Sequence, residues 1–390
     1  MIVSFQSLTA KSGAGMARLG YLVSKELDKR GILNKFIVHS KGKYDTAFHT
    51  EPVSFFSRYY LFALNKLGRK IKQHKLRFMQ ELMFDWFCAY RLDKSTTHLV
   101  ATQPHLKRTF HKAKKMGIKV IYIPGTPEDN YMYDLVSEEK QRMNITDEDA
   151  YTYKPRIRHY NDSIKYVDTV VCATPNIYRS FVQSSYIGTV VEVPGYLKPE
   201  FAPVAIDRKP GKVFKVAYVA HTVMLKGLQY LLEAWEGLMN EQGANELMLY
   251  IGGGIDAAVK AYIDAHFSSI RNVQYTGHIA DVLSFMKDKD LCVVPSLLDA
   301  YPFTAFEAAH YAIPVVITDN CGACGLLERN KSGCWTVAIR DAAAIKEHIL
   351  WASEHRMETA QKGMNAKYNI DSYNVDAYIQ ELSAFLMNYK

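Results

Sequence analysis

Short apolar runs alternate with amphipathic stretches along the whole chain. Runs rich in valine and isoleucine occur at Met1–Phe5, Lys35–His39, His98–Thr102, Lys119–Ile123, Thr169–Ala173 and Thr189–Pro194, and each reads as a buried strand. Between them the apolar positions move to helical spacing. Leu19, Leu22, Val23 and Leu27 share one helical face, and Gly31 ends that helix. A basic helix separates the runs at His98 and Lys119. The second half repeats the arrangement. Val213–Ala220, Glu246–Ile251, Leu291–Pro295 and Ile313–Thr318 read as strands, with helices opening at Lys226-Gly227 and near Thr304. Such alternation predicts parallel sheets covered on both faces. A turn-rich stretch near residues 196–212 holds Pro199, Pro203, Pro210 and Gly211 and reads as a linker. The expected division is a first domain over 1–205, a second over 206–372, and a closing helix over 373–390 that packs back toward the first.

Composition narrows the class. The 390 residues are 48% hydrophobic and 23% charged, as in a globular protein. No apolar run approaches the ~18 residues of a membrane span. The opening MIVSFQSLTAKSG reads as a strand and loop rather than a signal peptide. Six cysteines are too few for a disulfide framework, so a reducing cytoplasm is expected. Charge is uneven. Residues 1–205 carry 31 Lys and Arg against 19 Asp and Glu, a balance of +12, while the remainder carries −4. The first half is therefore expected to meet an anion: a membrane surface, a lipid phosphate or a nucleic acid. Residues 52–80 sharpen this, with Arg58, Lys66, Arg69, Lys70, Lys72, Lys75 and Arg77, no acid, and interleaved Phe55, Phe56, Tyr59, Tyr60 and Phe62. Phe78, Met79, Leu82, Met83, Trp86, Phe87 and Tyr90 follow at helical spacing. That pattern suits a bilayer interface, and equally a helix pair with one face in a core.

The most informative run is Pro295 to Ala309. A strand ends, Asp299 opens a loop, a helix starts near Phe303, and Glu307 lies inside that helix. First-turn amides around Pro302, Phe303, Thr304 and Ala305 suit a phosphate or sugar oxygen. Glu307 is placed to accept both hydroxyls of a ribose. Asp299 and Glu307 could otherwise simply cap and pair within their helix. Gly13 and Gly15 sit between the first strand and helix, either as a tight turn or close to a phosphate. Gly252–Gly254 ends a strand in the same manner. Cys321 and Cys324, with Cys334 nearby, lack a second pair at zinc-finger spacing, and no metal is expected. His98, His105 and His111 read mainly as solvated groups of a basic patch.

These residues resemble the acidic-x7-acidic signature of retaining glycosyltransferase family 4, the "glycosyl transferases group 1" of GT-B fold. Asp299 stands for the first acid and Ala312 for a usual small residue before Ile313-Pro314-Val315-Val316. Tyr218 to Gly227 is similar to the donor-phosphate motif, with Lys226 retained and His221 in the arginine's place. Tyr275-Thr-Gly277 resembles the strand end beside the base, and Pro194-Gly195 with Phe201-Ala-Pro203 the exit from the first domain. Cys321-Gly322 is similar to the lipopolysaccharide-core glucosyltransferases of the family. Two positions depart: Gly125 stands where a histidine is frequent, and Gly325 where a glutamate is expected.

The resemblance implies an α/β GT-B protein, two Rossmann-like doubly wound domains facing a central cleft. It implies sugar transfer from a UDP- or GDP-sugar to a lipid-linked or oligosaccharide acceptor, with retention of configuration, in cell-surface polysaccharide or glycolipid synthesis. Catalysis would rest on Asp299, Lys226 and Glu307. Donor binding would use Gly13, Gly15, His221, Lys226, Gly253, Gly277, Pro302, Phe303, Thr304, Ala305 and Glu307, without metal or cofactor. Thr126, Glu128 and Asp129 are the acceptor-side candidates. No nucleic-acid partner is expected, and the protein would sit peripherally on the inner face of the cytoplasmic membrane through residues 52–80. A GT-B nucleotide-sugar epimerase, a glucan synthase and a non-catalytic GT-B binding protein are the alternatives.

Overall fold

A computed structural model describes every residue except 5–14, 40–46, 54–58, 61, 64–65, 67–70, 207–210, 242–245 and 390. The chain forms two compact units. One comprises Met1–Glu138, Thr146–Leu197 and Val375–Lys390, and the other Glu139–Ile145 and Lys198–Asn374.

The first unit is built on β1 (Ile2–Ser4), β2 (Lys35–Val38), β3 (Thr50–Pro52), β4 (His98–Ala101), β5 (Lys119–Tyr122), β6 (Thr169–Cys172) and β7 (Thr189–Glu192). Their order is β3-β2-β1-β4-β5-β6-β7, and every pairing is parallel. The order reverses between β1 and β4, the topological switch point of a doubly wound sheet. The apolar runs mark six of these strands. β3 escapes the pattern because Thr50-Glu51-Pro52 has little apolar surface; it lies at the edge, where proline's missing donor is tolerated.

The helix Val375–Asn388 belongs to the first unit and packs on the helix Gly15–Lys29. A Cβ at Gly195 would run into the ring of Tyr378, so glycine gives this helix its seat. The helix Gln73–Arg91 buries Leu76, Phe84, Phe87 and Cys88. It also buries Asp85, whose carboxylate accepts from the N–H of Arg108 at 2.8 Å and of Thr109 at 2.9 Å. Asp85 thereby caps the helix Lys107–Lys115 from outside, satisfying amides that lack a partner within their own helix. This anchor sets which face turns inward. Part of the expected apolar stripe then faces solvent: Leu82, Trp86 and Tyr90 are exposed.

The second unit is built on β8 (Phe214–Val219), β9 (Leu247–Gly252), β10 (Val273–Gly277), β11 (Leu291–Val294), β12 (Val315–Thr318) and β13 (Cys334–Val337). The order is β10-β9-β8-β11-β12-β13, again wholly parallel, with the switch point between β8 and β11. β11 and β12 are buried at every position, as a sheet covered on both faces requires. Trp235, on the helix Leu228–Met239, is fully buried, and its Nε1–H donates to the Arg271 carbonyl at 3.1 Å.

One helix, Asp129–Arg142, starts in the first unit and ends in the second. Within the second, Glu139 accepts from Gln229 Nε2 at 2.9 Å, the Tyr230 hydroxyl at 2.7 Å and Arg340 Nε at 3.0 Å. No described helix is long and apolar enough to cross a membrane.

Candidate functional site

At the switch point of the second sheet, β8 leads through Ala220–Val223 to a 3-10 turn, Met224–Lys226. Gly227 ends it with φ +67°, and a Cβ there would collide with the Pro295 carbonyl oxygen. Only glycine lets this turn close against the exit of β11. The Leu297 N–H then donates to the Leu225 carbonyl at 2.8 Å and holds the two exits together. This brings Asp299 to Lys226, with Nζ 2.5 Å from Oδ2. The second oxygen of Asp299 accepts from the Tyr301 N–H at 3.2 Å. Both side chains stay partly open, at 28% for Lys226 and 16% for Asp299.

The pair lies on a cavity of about 290 Å³, with His221, Ser296, Tyr301, Phe303 and Thr304 also on its walls. That is the lower end of the range for small-molecule sites, ~300–1,000 Å³. Pro302 precedes the helix Phe303–His310, and the Thr304 hydroxyl donates to the Val219 carbonyl at 2.9 Å. The helix start is thus tied to the end of β8, with its positive pole at the cavity. Ala305 is fully buried, and its N–H closes the first turn on Pro302 at 3.0 Å. Phe303 and Thr304 are therefore the helix residues on the cavity wall.

Glu307 lies one turn further along, half-buried and outside that wall. Burial, with a smaller contribution from Asp281, lifts its carboxyl to about 7. Among the described residues it makes no hydrogen bond or ion pair. Gly253 and Gly277 close the ends of β9 and β10 and meet directly, Gly253 N–H donating to the Gly277 carbonyl at 2.7 Å. Gly253 has φ +103°, and a Cβ would strike the Ala220 carbonyl, so its backbone is pressed against the exit of β8.

Candidates in the first unit fall differently. Gly13 lies outside the described residues. Gly15 opens its helix with φ +62°. Of Thr126, Glu128 and Asp129, only Thr126 is exposed. Glu128 is buried and accepts from Asn130 Nδ2 at 2.7 Å and the Tyr131 N–H at 2.8 Å. Asp129 is part of an internal charge cluster. Arg156 reaches it at 3.3 Å and holds Glu81 at 2.9 Å, while His105 stands 3.2 Å from Asp129. At Gly125 an added Cβ would meet the side chain of Met16, which occupies the space where a larger residue would project.

Sequence reasoning missed Tyr218, Ser296 and Tyr301 as wall residues; each lies within a quoted motif, and that position was the available signal. Cys321 is buried, which pushes its thiol up to about 12, and all six cysteines are unpaired thiols. Among the described residues no group of three or more His, Cys, Asp or Glu is placed to hold a metal.

Solved structures share this architecture over nearly the whole chain. Sucrose-phosphate synthase from Thermosynechococcus elongatus is 15% identical, with 99% of this chain and 98% of that one covered at TM-score 0.66. The lipopolysaccharide outer core galactosyltransferase WaaB is 15% identical, covering 99% and 100% at 0.63. HepE from Anabaena, solved in complex with UDP, is 14% identical, covering 99% and 100% at 0.62. The fold is GT-B. Within this GT-B chain, residues 213–355 match the family described as glycosyl transferases group 1. All wall residues of the cavity fall inside that stretch. No curated protein sequence matches the chain.

Proposed function

We propose that this chain transfers a sugar from a UDP- or GDP-sugar to a lipid-linked or oligosaccharide acceptor, with retention of configuration and without a metal. The observation that carries the reading is the cavity on which Lys226, Asp299 and the start of the helix Phe303–His310 converge. Negative charge grows on the diphosphate as the glycosidic bond breaks. A lysine and helix amides fixed beforehand would stabilise that charge, each such donor contributing roughly 3–4 kcal/mol. Asp299 holds Lys226 in place and offers an acceptor for a sugar hydroxyl. Glu307, with no protein partner among the described residues, would take the ribose hydroxyls. HepE, of the same fold, is solved with UDP, which makes UDP-sugars the first donors to test.

The test is hydrolysis and transfer across a panel of nucleotide sugars, with and without EDTA. Lys226→Ala should weaken UDP far more than uridine by calorimetry, since a lysine acts on phosphate as a point charge. Equal losses for both ligands would reduce Lys226 to a structural role. Turnover abolished by EDTA would refute the metal-free mechanism.

The same reading puts the protein on an anionic membrane surface through residues 52–80. Tyr59, Tyr60 and Phe62 are exposed, at 61%, 48% and 66%, and Lys66, Lys72, Lys75 and Arg77 are exposed beside them in sequence. The outward Leu82, Trp86 and Tyr90 extend the apolar surface. Arg58, Arg69, Lys70, Phe55 and Phe56 lie outside the described residues. Each Lys or Arg near an anionic leaflet contributes about 1 kcal/mol. Co-sedimentation with anionic vesicles should fall with salt and with Arg69, Lys70 and Lys72 changed to Glu. Wild type remaining in the supernatant at low salt would favour a soluble acceptor.

A further inference from the structure

A second cavity, of about 490 Å³, is lined by residues of the first unit alone. They come from the start of the helix Asp129–Arg142, the helices Lys154–Ile164 and Pro175–Val182, and the loop leading to β7. Its volume falls within the ~300–1,000 Å³ of small-molecule sites. Of the lining residues only Ile164 and Ile187 are apolar, and Asn161, Lys165, Gln183 and Ser185 are exposed, so the cavity opens to solvent. It lies toward the entry end of the sheet. Lys165 comes before β6 and residues 184–187 before β7, and the Tyr186 hydroxyl donates to the Val167 carbonyl at 3.2 Å. A doubly wound sheet takes its ligand at the opposite, carboxyl ends of its strands, so this cavity is separate from the first sheet's own switch point.

The polar groups of the wall are fixed in order. The Glu128 N–H donates to Ser180 Oγ at 3.0 Å and ties two walls together. Asn130 Nδ2 donates to Glu128 Oε1 at 2.7 Å and to Asn161 Oδ1 at 2.9 Å. With both N–H groups committed, Asn130 presents its Oδ1 as an acceptor, and Asn161, its Oδ1 engaged, presents Nδ2 as a donor. Acceptor and donor side by side match the hydroxyls of a sugar, each of which donates and accepts. Asp134, Gln183 and Ser185 add an exposed carboxylate, amide and hydroxyl to the same wall. An anion would meet the carboxylates of Glu128 and Asp134 with one lysine, Lys165, whose Nζ is 3.3 Å from Asp162 Oδ1. A metal ion would compete for Glu128 oxygens that already accept from Asn130 and from the Tyr131 N–H. We propose that this cavity is a second carbohydrate site, holding a neutral hexopyranose unit of a glycan independently of the cavity at Lys226. It goes beyond sugar transfer, because a site at the entry end of the sheet retains a glycan without reacting with it.

The test is saturation-transfer NMR on the full chain with the methyl α-glycosides of glucose, galactose and mannose, each alone and with excess UDP. Ring-proton signals are expected from at least one glycoside and should persist with UDP. Asn161→Asp keeps the shape and the bond from Asn130 but presents no donor, and should weaken that glycoside about tenfold. Gln183→Ala, at an exposed position, should weaken it severalfold and leave the unfolding temperature unchanged. No ring signal from any glycoside, or binding equal to wild type in both variants, would overturn the proposal. So would signals that UDP removes, which would put the sugar in the cavity at Lys226, and signals that inorganic phosphate removes, which would make this an anion site. Calorimetric titration with UDP runs alongside and bears on sugar transfer alone. UDP binding without glycoside signals removes only this site, and glycoside signals without UDP binding remove only the donor reading.

Discussion

The two units each set a basic side chain against carboxylates, with opposite outcomes. In the second, Lys226 and Asp299 stay partly open on a cavity wall. In the first, Arg156, Glu81 and Asp129 are sealed at 5%, 3% and 3% exposure. Water is the difference. A partly solvated pair contributes little to stability, so its lysine can be shared with a ligand at small cost. A sealed cluster cannot lose a member without stranding a charge. Burial alone would raise the carboxyls of Glu81 and Asp129, but His105 and Arg156 bring both below their ordinary values. Similar chemistry therefore stays open to a ligand where solvent reaches it and serves the fold where it does not.

The largest expected effect breaks the sealed side. Arg156→Met should cost about 3–5 kcal/mol in urea unfolding, against under about 1 kcal/mol for Lys226→Met. Comparable losses would dissolve the distinction. Acid should act on the same cluster. Depressed carboxyls contribute stability above their unfolded values, 4.5 for Glu81 and 3.8 for Asp129, and lose it as pH falls through the lower folded ones.

Glu307 gives a mid-sized test with the opposite sign. Glu307→Ala should weaken nucleoside diphosphate binding by about 1.5–3 kcal/mol, and Glu307→Gln by less. With its carboxyl lifted to about 7, affinity should rise as pH passes through neutrality and the acceptor becomes fully ionised. Stability should move the other way: the contribution present below 4.5 is lost as pH climbs to about 7. Glu307→Gln should then melt above wild type near pH ~8 and lose that advantage near pH ~4. A melting difference independent of pH would remove the desolvated carboxylate from the account.

The smallest effect belongs to His221, an exposed imidazole on the cavity wall. His221→Gln should change UDP affinity by less than about tenfold. A loss matching Lys226→Ala would make it a main phosphate donor.

Legibility in the sequence followed contiguity. The second unit's site comes from two short runs, residues 218–227 and 295–307, each joining a strand end to a helix, so periodicity and motif pointed to the same place. The first unit's cluster joins residues 81, 105, 129 and 156, which share no run or period. The sequence therefore suggests an acceptor contact at Asp129, whose partners lie inside the fold. The stripe over residues 78–90 divides between core and solvent for a related reason. Hydropathy could not foresee that Asp85 would turn inward to cap the helix Lys107–Lys115.

The helix Asp129–Arg142 has a consequence for how such a chain can be inherited. Because it begins in one unit and ends in the other, and because Val375–Lys390 returns to the first, no single cut separates the two. A genetic crossover at Leu197 would join a foreign second half to this chain's own Glu139, and the incoming residues at positions 229, 230 and 340 would have to suit that carboxylate. Exchange of second units between relatives would therefore select for paired changes at positions between 90 and 201 residues apart.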